Sequence, residues 1–240
     1  MSESYKIRKI SAADLVCDKM KELIINQTWP TGQKIPTEME LSSLFGVNRL
    51  TVRIATQRLQ SLGLLDIRVG DGTYIKKFDL GKHLAELSDF YVGSKTVQDV
   101  VEFRMMFELP CARMAAERRT KQELDTFQTL CTQFSTELDQ FYANRDRDDA
   151  KAHFMKTVDI TVNLHMTLCE MTHNELIQYA FILAKEPLYR HMRLNALRRV
   201  DDLGQDQTNV WIKRWQTLCD ALRKRDAQTS ETVLRQIIDS

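Results

Sequence analysis

Three side chains near the front of the chain are spaced to grip a polyanion. In Asn48-Arg49-Leu50-Thr51-Val52-Arg53, two arginines stand four residues apart with a hydroxyl between them. If the segment is helical and buries Val52, then Arg49 and Arg53 project from one outward face, with Thr51 beside them. A guanidinium can offer paired donors to O6 and N7 of guanine, and a hydroxyl can reach a phosphate or a base edge. Unpaired amides in a helix's first turn add a site that favours phosphate. Two arginines alone would read as an ordinary solvated face, so the reading turns on what carries them. A second group lies far downstream, where Tyr189-Arg190-His191 and Arg193 could offer donors to a carboxylate or phosphate, or make surface salt bridges.

The elements around the first group give it a context. Ser11-Ala-Ala-Asp14 starts a helix with Leu15, Met20, Leu23 and Ile24 at helical spacing, ending near Gln27 before the Trp29-Pro30-Thr31-Gly32 turn. Thr37-Glu-Met-Glu40 is a full capping box, so a short helix spans about 37–45 and stops at Gly46. Asn48 caps a third helix with a stripe of Val52, Ala55, Leu59 and Leu62, stopped by Gly63. Two helices joined by a short glycine-containing turn form a helix-turn-helix. Leu64–Val69 and Thr73–Phe78, separated by Gly70-Asp-Gly72, then predict a β-hairpin wing. The arginines therefore sit at the point of a winged helix-turn-helix that enters the DNA groove.

Charge follows the same division. The first 78 residues carry a net +4 and the remaining 162 a net −3, which suits one domain that meets phosphate and one that does not. From Val97 onward the pattern is helical throughout, with six segments: Val97–Arg119, Gln122–Tyr142, Asp149–Met171, Asn174–Arg199, Asn209–Arg225 and Ala227–Ile238. Breaks fall at Thr120, 144–149, His173-Asn174 and 201–204, and Asp226 is a natural cap for the last helix. The expected fold is mostly α: residues 1–78 a winged helix-turn-helix, 79–95 a linker with a short helix, and 96–240 an all-helical bundle large enough for a pocket.

Several function classes drop out. No HExxH, GxSxG, GxGxxG or P-loop pattern and no clustered Asp/Glu/His set is present, so no enzyme is expected. The five cysteines (Cys17, Cys111, Cys131, Cys169, Cys219) are dispersed without a CxxC pair, as buried thiols in a reducing compartment would be. Met1 is followed by polar residues, and no apolar run is long enough for a membrane span, so the expected location is cytoplasmic with no membrane partner.

The stretch Pro30–Leu41, then Phe45-Gly-Val-Asn-Arg49-Leu-Thr51-Val-Arg53, Gly63-Leu-Leu and Arg68-Val-Gly70-Asp-Gly72-Thr-Tyr, resembles the GntR family of bacterial regulators over residues 10–76. The resemblance implies a homodimer on a short pseudo-palindromic operator, with Thr37, Asn48, Arg49, Leu50, Thr51 and Arg53 at the DNA and Gly70 at a wing tip near the minor groove. Met39 and Val69 depart from the family pattern, at a position that often holds a DNA-contacting arginine and beside the wing-tip glycine. Glu102-Phe-Arg104-Met-Met-Phe-Glu108, His165-Met-Thr-Leu168 with Asn174, and Arg225-Asp226-Ala227 resemble the sensor domain of the FadR subfamily. Many members hold a divalent metal there with one Asp and three His. Only His165 remains of that set, since Thr161, Trp215 and Ile237 fill the other positions, so no metal and no cofactor are expected. Asp159, six residues before His165, is turned about 120° away on a helix. The effector residues implied are Arg104, His165 and Trp215, with Tyr189, Arg190 and Arg193 as further donors, and the effector an acyl-CoA, fatty acid or other organic acid. The expected protein is a ligand-responsive regulator, with repression as the expected sign; the alternative is a constitutive DNA-binding dimer with no effector.

Overall fold

The computed structural model describes residues 10–145, 149–201 and 203–239. The chain divides into two compact units, with the boundary between Asp79 and Leu80.

The front unit is three helices and a hairpin. Helix α1 (Ala12–Ile25) opens on the Ser11/Asp14 capping box, α2 (Glu38–Phe45) on the Thr37/Glu40 box, and α3 (Arg49–Ser61) on Asn48. Gly46 closes α2 at φ 65°, a left-handed conformation that an L side chain would strain. Strands β1 (Leu65–Arg68) and β2 (Gly72–Ile75) pair antiparallel with Leu65 opposite Ile75 and Arg68 opposite Gly72. Both are shorter than expected, because the chain leaves the ladder after Arg68 and after Ile75. Val52, Ala55 and Leu59 are completely buried against Met20 and Leu41, as the stripe on α3 requires. Two stripe residues differ from expectation: Leu15 and Leu62 are exposed, and Val16 and Cys17 face the core of α1 instead.

The rear unit is a bundle of α4 (Leu80–Tyr91), α5 (Ser94–Gln98), α6 (Val100–Arg118), α7 (Lys121–Ala143), α8 (Ala150–Glu170), α9 (Glu175–Arg199), α10 (Gln205–Lys224) and α11 (Ala227–Ile238). Residues 79–95, read as a linker with a short helix, are mostly helix α4, which packs along α9. Helix α10 begins four residues earlier than expected, since Gly204 caps it and Thr208 is already buried in its first turn. The other bounds fall within about three residues of the periodicity. Thr120 forms a capping box with Glu123, and Asn174 and Asp226 cap α9 and α11. The break at 144–149 lies partly, and that at 201–204 in one residue, outside the described residues. Helices α7 and α8 pack on each other, and α6 packs on both α8 and α11. Phe127, Leu138, Leu164, Leu168 and Leu218 form the middle of the core. All five cysteines are free and buried. Among the described residues no helix is long and apolar enough to cross a membrane.

Candidate functional sites

The first turn of α3 is organised by its cap. The Asn48 Oδ1 accepts from the Thr51 amide at 2.8 Å and from the Thr51 hydroxyl at 2.9 Å, so both side chains are committed locally while their outer lone pairs stay open. Arg49 and Leu50 are exposed on the same turn. Arg53 is exposed too, but it is clamped: its Nε and Nη2 donate to the two oxygens of Glu38, at 3.0–3.1 Å and 2.6 Å. The Arg53 guanidinium holds Glu38 below the ordinary glutamate pKa, and Glu38 raises that of Arg53 in turn. This pair joins the start of α2 to the start of α3. Thr37 itself is tied into its box, donating to Glu40 at 2.8 Å from the hydroxyl and 2.7 Å from the amide.

Gly70 sits at the tip of the hairpin at φ 79°, next to a fully exposed Val69. The wing is braced from below. The Tyr74 hydroxyl donates to Asp71 at 3.0 Å, Lys34 approaches Asp71 at 3.3 Å, and Arg68 stacks 4.3 Å from the Tyr74 ring centroid. The result is one face with free or pre-aimed guanidinium groups, open amides and a stiff hairpin, which can bind a phosphate-lined groove.

In the rear unit, a cavity of about 180 Å³ lies between α6, α7, α8, α9, α10 and α11. Its polar wall is Arg104, Thr157, Thr161, His191, Asn195 and Arg214, and its apolar wall includes Trp211, Trp215, Phe134, Met192 and Ile237. Thr161, Trp215 and Ile237, three of the positions that hold a metal in relatives of the resembled type, do converge here. None of them supplies the nitrogen or carboxylate ligand such an ion needs. Among the described residues no group of three His, Cys, Asp or Glu side chains could hold a metal.

His165, the fourth position, is not on the cavity wall. It is fully buried in a three-way cluster with Arg104 and Glu108. The Arg104 Nε donates to Glu108 Oε1 at 3.2 Å, and Arg104 Nη2 lies 2.7 Å from His165 Nε2. His165 Nδ1 stands 2.6 Å from Glu108 Oε2, off the line of a good hydrogen bond, so that contact is electrostatic. Burial pushes Glu108 up, but the His165 ring and the Arg104 guanidinium against its oxygens more than reverse this and keep it ionised. Burial pushes His165 down; Glu108 pulls the other way, Arg104 adds to the fall, and the net is a lowered pKa. The lowered pKa favours a neutral imidazole, and because Arg104 can only donate, Nε2 accepts and the proton sits on Nδ1, on the Glu108 side. The cluster is then neutral overall, and Arg104 Nη1 keeps no protein partner among the described residues.

Of the six rear residues read from the sequence, Arg104 and Trp215 line the cavity, and His165 backs Arg104 while touching Trp215 edge-on at 5.3 Å between centroids. Tyr189 packs in the core beside the cavity. Arg190 pairs with Glu186 at 3.1 Å and donates to the buried Ser88 hydroxyl at 3.2 Å, and Arg193 is exposed; neither is on the wall. Glu108, which sequence reasoning did not single out, is the missing member. Its signal was the i,i+4 spacing from Arg104 on one helix.

A winged helix-turn-helix followed by a helical bundle around a polar-walled cavity defines a DNA-binding regulator that answers to a small molecule. Comparison with known proteins gives the family: residues 12–75 match bacterial regulatory proteins of the gntR family, and residues 99–240, more than half of the chain, match the FCD domain. The chain belongs to the GntR family of bacterial transcription regulators, with an FCD effector domain. It is 28% identical to the HTH-type transcriptional regulator LutR of Bacillus subtilis over 71% of this chain and 73% of that one. It is 25% identical to the Uxu operon regulator of Haemophilus influenzae (92% and 77%), and 23% identical to the HTH-type transcriptional repressor NanR of Escherichia coli K12 (99% and 85%). A solved GntR protein of Streptococcus agalactiae shares the fold at a TM-score of 0.70 and 19% identity, covering 95% of this chain and 97% of the other.

Proposed function

We propose that the protein is a homodimeric repressor that binds a pseudo-palindromic operator and is released by a small organic acid held in the rear cavity. The observation that carries the effector reading is Arg104: a buried guanidinium, neutralised by Glu108, oriented by His165, and presented to a cavity rather than to solvent. Such a group can fork onto a carboxylate. Its held geometry spares the ligand the cost of ordering it. A cavity of about 180 Å³ is below the roughly 300–1,000 Å³ of drug-sized sites. That size supports a compact acid over a long-chain acyl-CoA or fatty acid. Two threonines, Asn195 and His191 on the walls suit hydroxyl groups on the ligand, and the two tryptophans suit its carbon skeleton. On the DNA side, Arg49, Leu50, Thr51 and Arg53 enter the major groove, with Thr37 and Asn48 at the phosphates and Gly70 at the minor groove. Ligand occupancy changes affinity by altering the spacing of the two winged helices.

A thermal-shift panel of hydroxy acids and sugar acids, set against fatty acids and acyl-CoAs, tests the reading. A specific ligand at 100 times its dissociation constant adds about 2.7 kcal/mol to stability. Stabilisation by one compact acid, together with weakened operator binding, supports the proposal. Stabilisation by acyl-CoA alone overturns the effector class, and a silent panel favours the constitutive dimer.

A further inference from the structure

Leu50 lies on the far side of α3 from the core. It stands two residues before the completely buried Val52, so helix geometry turns it about 160° away, and it is 63% exposed. Its neighbours on the same turn are polar. Arg49 is exposed before it, and Thr51, bonded to Asn48, follows it. Arg53, three residues on, is held by Glu38. Leu50 has no part in the apolar cluster that Val52 and Leu59 join, so the fold does not call for a leucine here. A lone exposed leucine needs no explanation on an ordinary surface. This one sits on the turn that carries the arginines to DNA, where it is stripped of water when the helix docks.

Chemistry decides what such a side chain can meet in the groove. The purine N7, guanine O6 and thymine O4 are acceptors, and the amino groups of cytosine and adenine are donors. A leucine pressed on any of these displaces the water that partnered it and offers nothing in return, which is a net loss. The thymine 5-methyl is the apolar group that a base edge presents in the major groove, and it gains by the same loss of water. Discrimination then has two sources: the methyl is attracted, and the bare polar edges of other pairs are penalised. Arg49 and Thr51 on either side remain able to take phosphates or polar base edges, so the apolar contact is framed by polar ones.

We infer that Leu50 is a specificity-determining residue that reads the 5-methyl group of a thymine in the operator. The inference rests on the reading above that this turn of α3 enters the major groove. In the test, binding sites are selected from a random duplex library with the full native chain. Each thymine of the selected site is then replaced in turn by uracil, which removes the methyl and keeps every hydrogen-bonding atom. At about 0.8 kcal/mol per buried methylene and 1.4 kcal/mol per tenfold, uracil at the contacted position is expected to weaken binding roughly fourfold. Leu50→Ala is expected to be indifferent to that same replacement, and the sites it selects are expected to lose the thymine. If no uracil weakens the native chain, or if Leu50→Ala suffers the same loss at the same thymine, the inference is overturned and the DNA reading stands. A native chain that enriches no sequence from the library overturns that reading and the inference with it. Should Leu50→Ala melt early, the uracil scan of the native chain decides.

Discussion

Replacing Glu108 by glutamine removes one negative charge and almost no volume. In the folded protein Arg104 and Glu108 expose only 6% and 3% of their side chains, so the guanidinium left behind has no carboxylate to answer it. Breaking a buried ion pair from one side costs about 3–5 kcal/mol, far more than the pair contributes relative to apolar replacements. The rear unit runs from Leu80 to Ser240. For a domain of that size, 1 kcal/mol moves the midpoint by roughly 2–4 °C, so Glu108→Gln is expected to lower the rear-domain melting temperature by about 6–20 °C. Scanning calorimetry resolves this if the two units melt separately, and the front-unit transition serves as the internal control. The reasoning also fixes the rescue: Arg104→Met/Glu108→Leu removes both charges and is expected to be more stable than Glu108→Gln alone. A shift of under 2 °C for Glu108→Gln, or a double variant less stable than the single one, refutes the account of the cluster.

Three further outcomes are expected. Arg49→Ala should cost about 1–3 kcal/mol of operator affinity in a fluorescence titration while leaving the melting curve unchanged; native affinity would remove Arg49 from the interface. Both His165 and Glu108 titrate below their ordinary values, so the unfolded chain binds more protons, and stability falls first as pH drops through 6.5 and further below 4.5. Denaturant melts on either side of the first value should show that slope, and His165→Gln should abolish its upper part; an unchanged slope would mean the imidazole is not the group responsible. Chelator treatment followed by elemental analysis should leave effector affinity intact, since Thr161, Trp215 and Ile237 offer the cavity no metal ligand; metal-dependent binding would show another ligand set at work.

Local signals carried most of the fold. Capping residues at 11, 37, 48, 120, 174 and 226 act through atoms two or three residues away, and each helix starts where they stand. Expectation failed where distance in sequence mattered. Helix α4 was legible only as a short helix within a linker, because its support comes from α9, as in the bond from Arg190 to Ser88, 102 positions apart. Arg190 likewise looked like a pocket donor, and only the path of α9 shows it turned toward α4. Arg53 read as a free base-reader, because nothing near it announces that Glu38, fifteen residues earlier, meets it across the turn. Arg104 was legible from its place in a familiar pattern. Its two partners were not, as the closure onto His165 depends on how α6 crosses α8.

The grip of Glu38 on Arg53 has a consequence for how operator binding responds to salt. Affinity for DNA falls with ionic strength because each phosphate that a protein cation neutralises releases a condensed counterion, roughly 0.9 per contact on duplex DNA. Arg53 arrives with its counterion built in, as a carboxylate two bonds deep in its own guanidinium. While the pair holds, its net charge is zero, and it adds little to that release. Arg49, on the same turn, carries no such carboxylate clamp among the described residues. For the proposed interface, the expected salt slope is therefore that of fewer cations than its arginines number, with Arg53 contributing geometry more than charge.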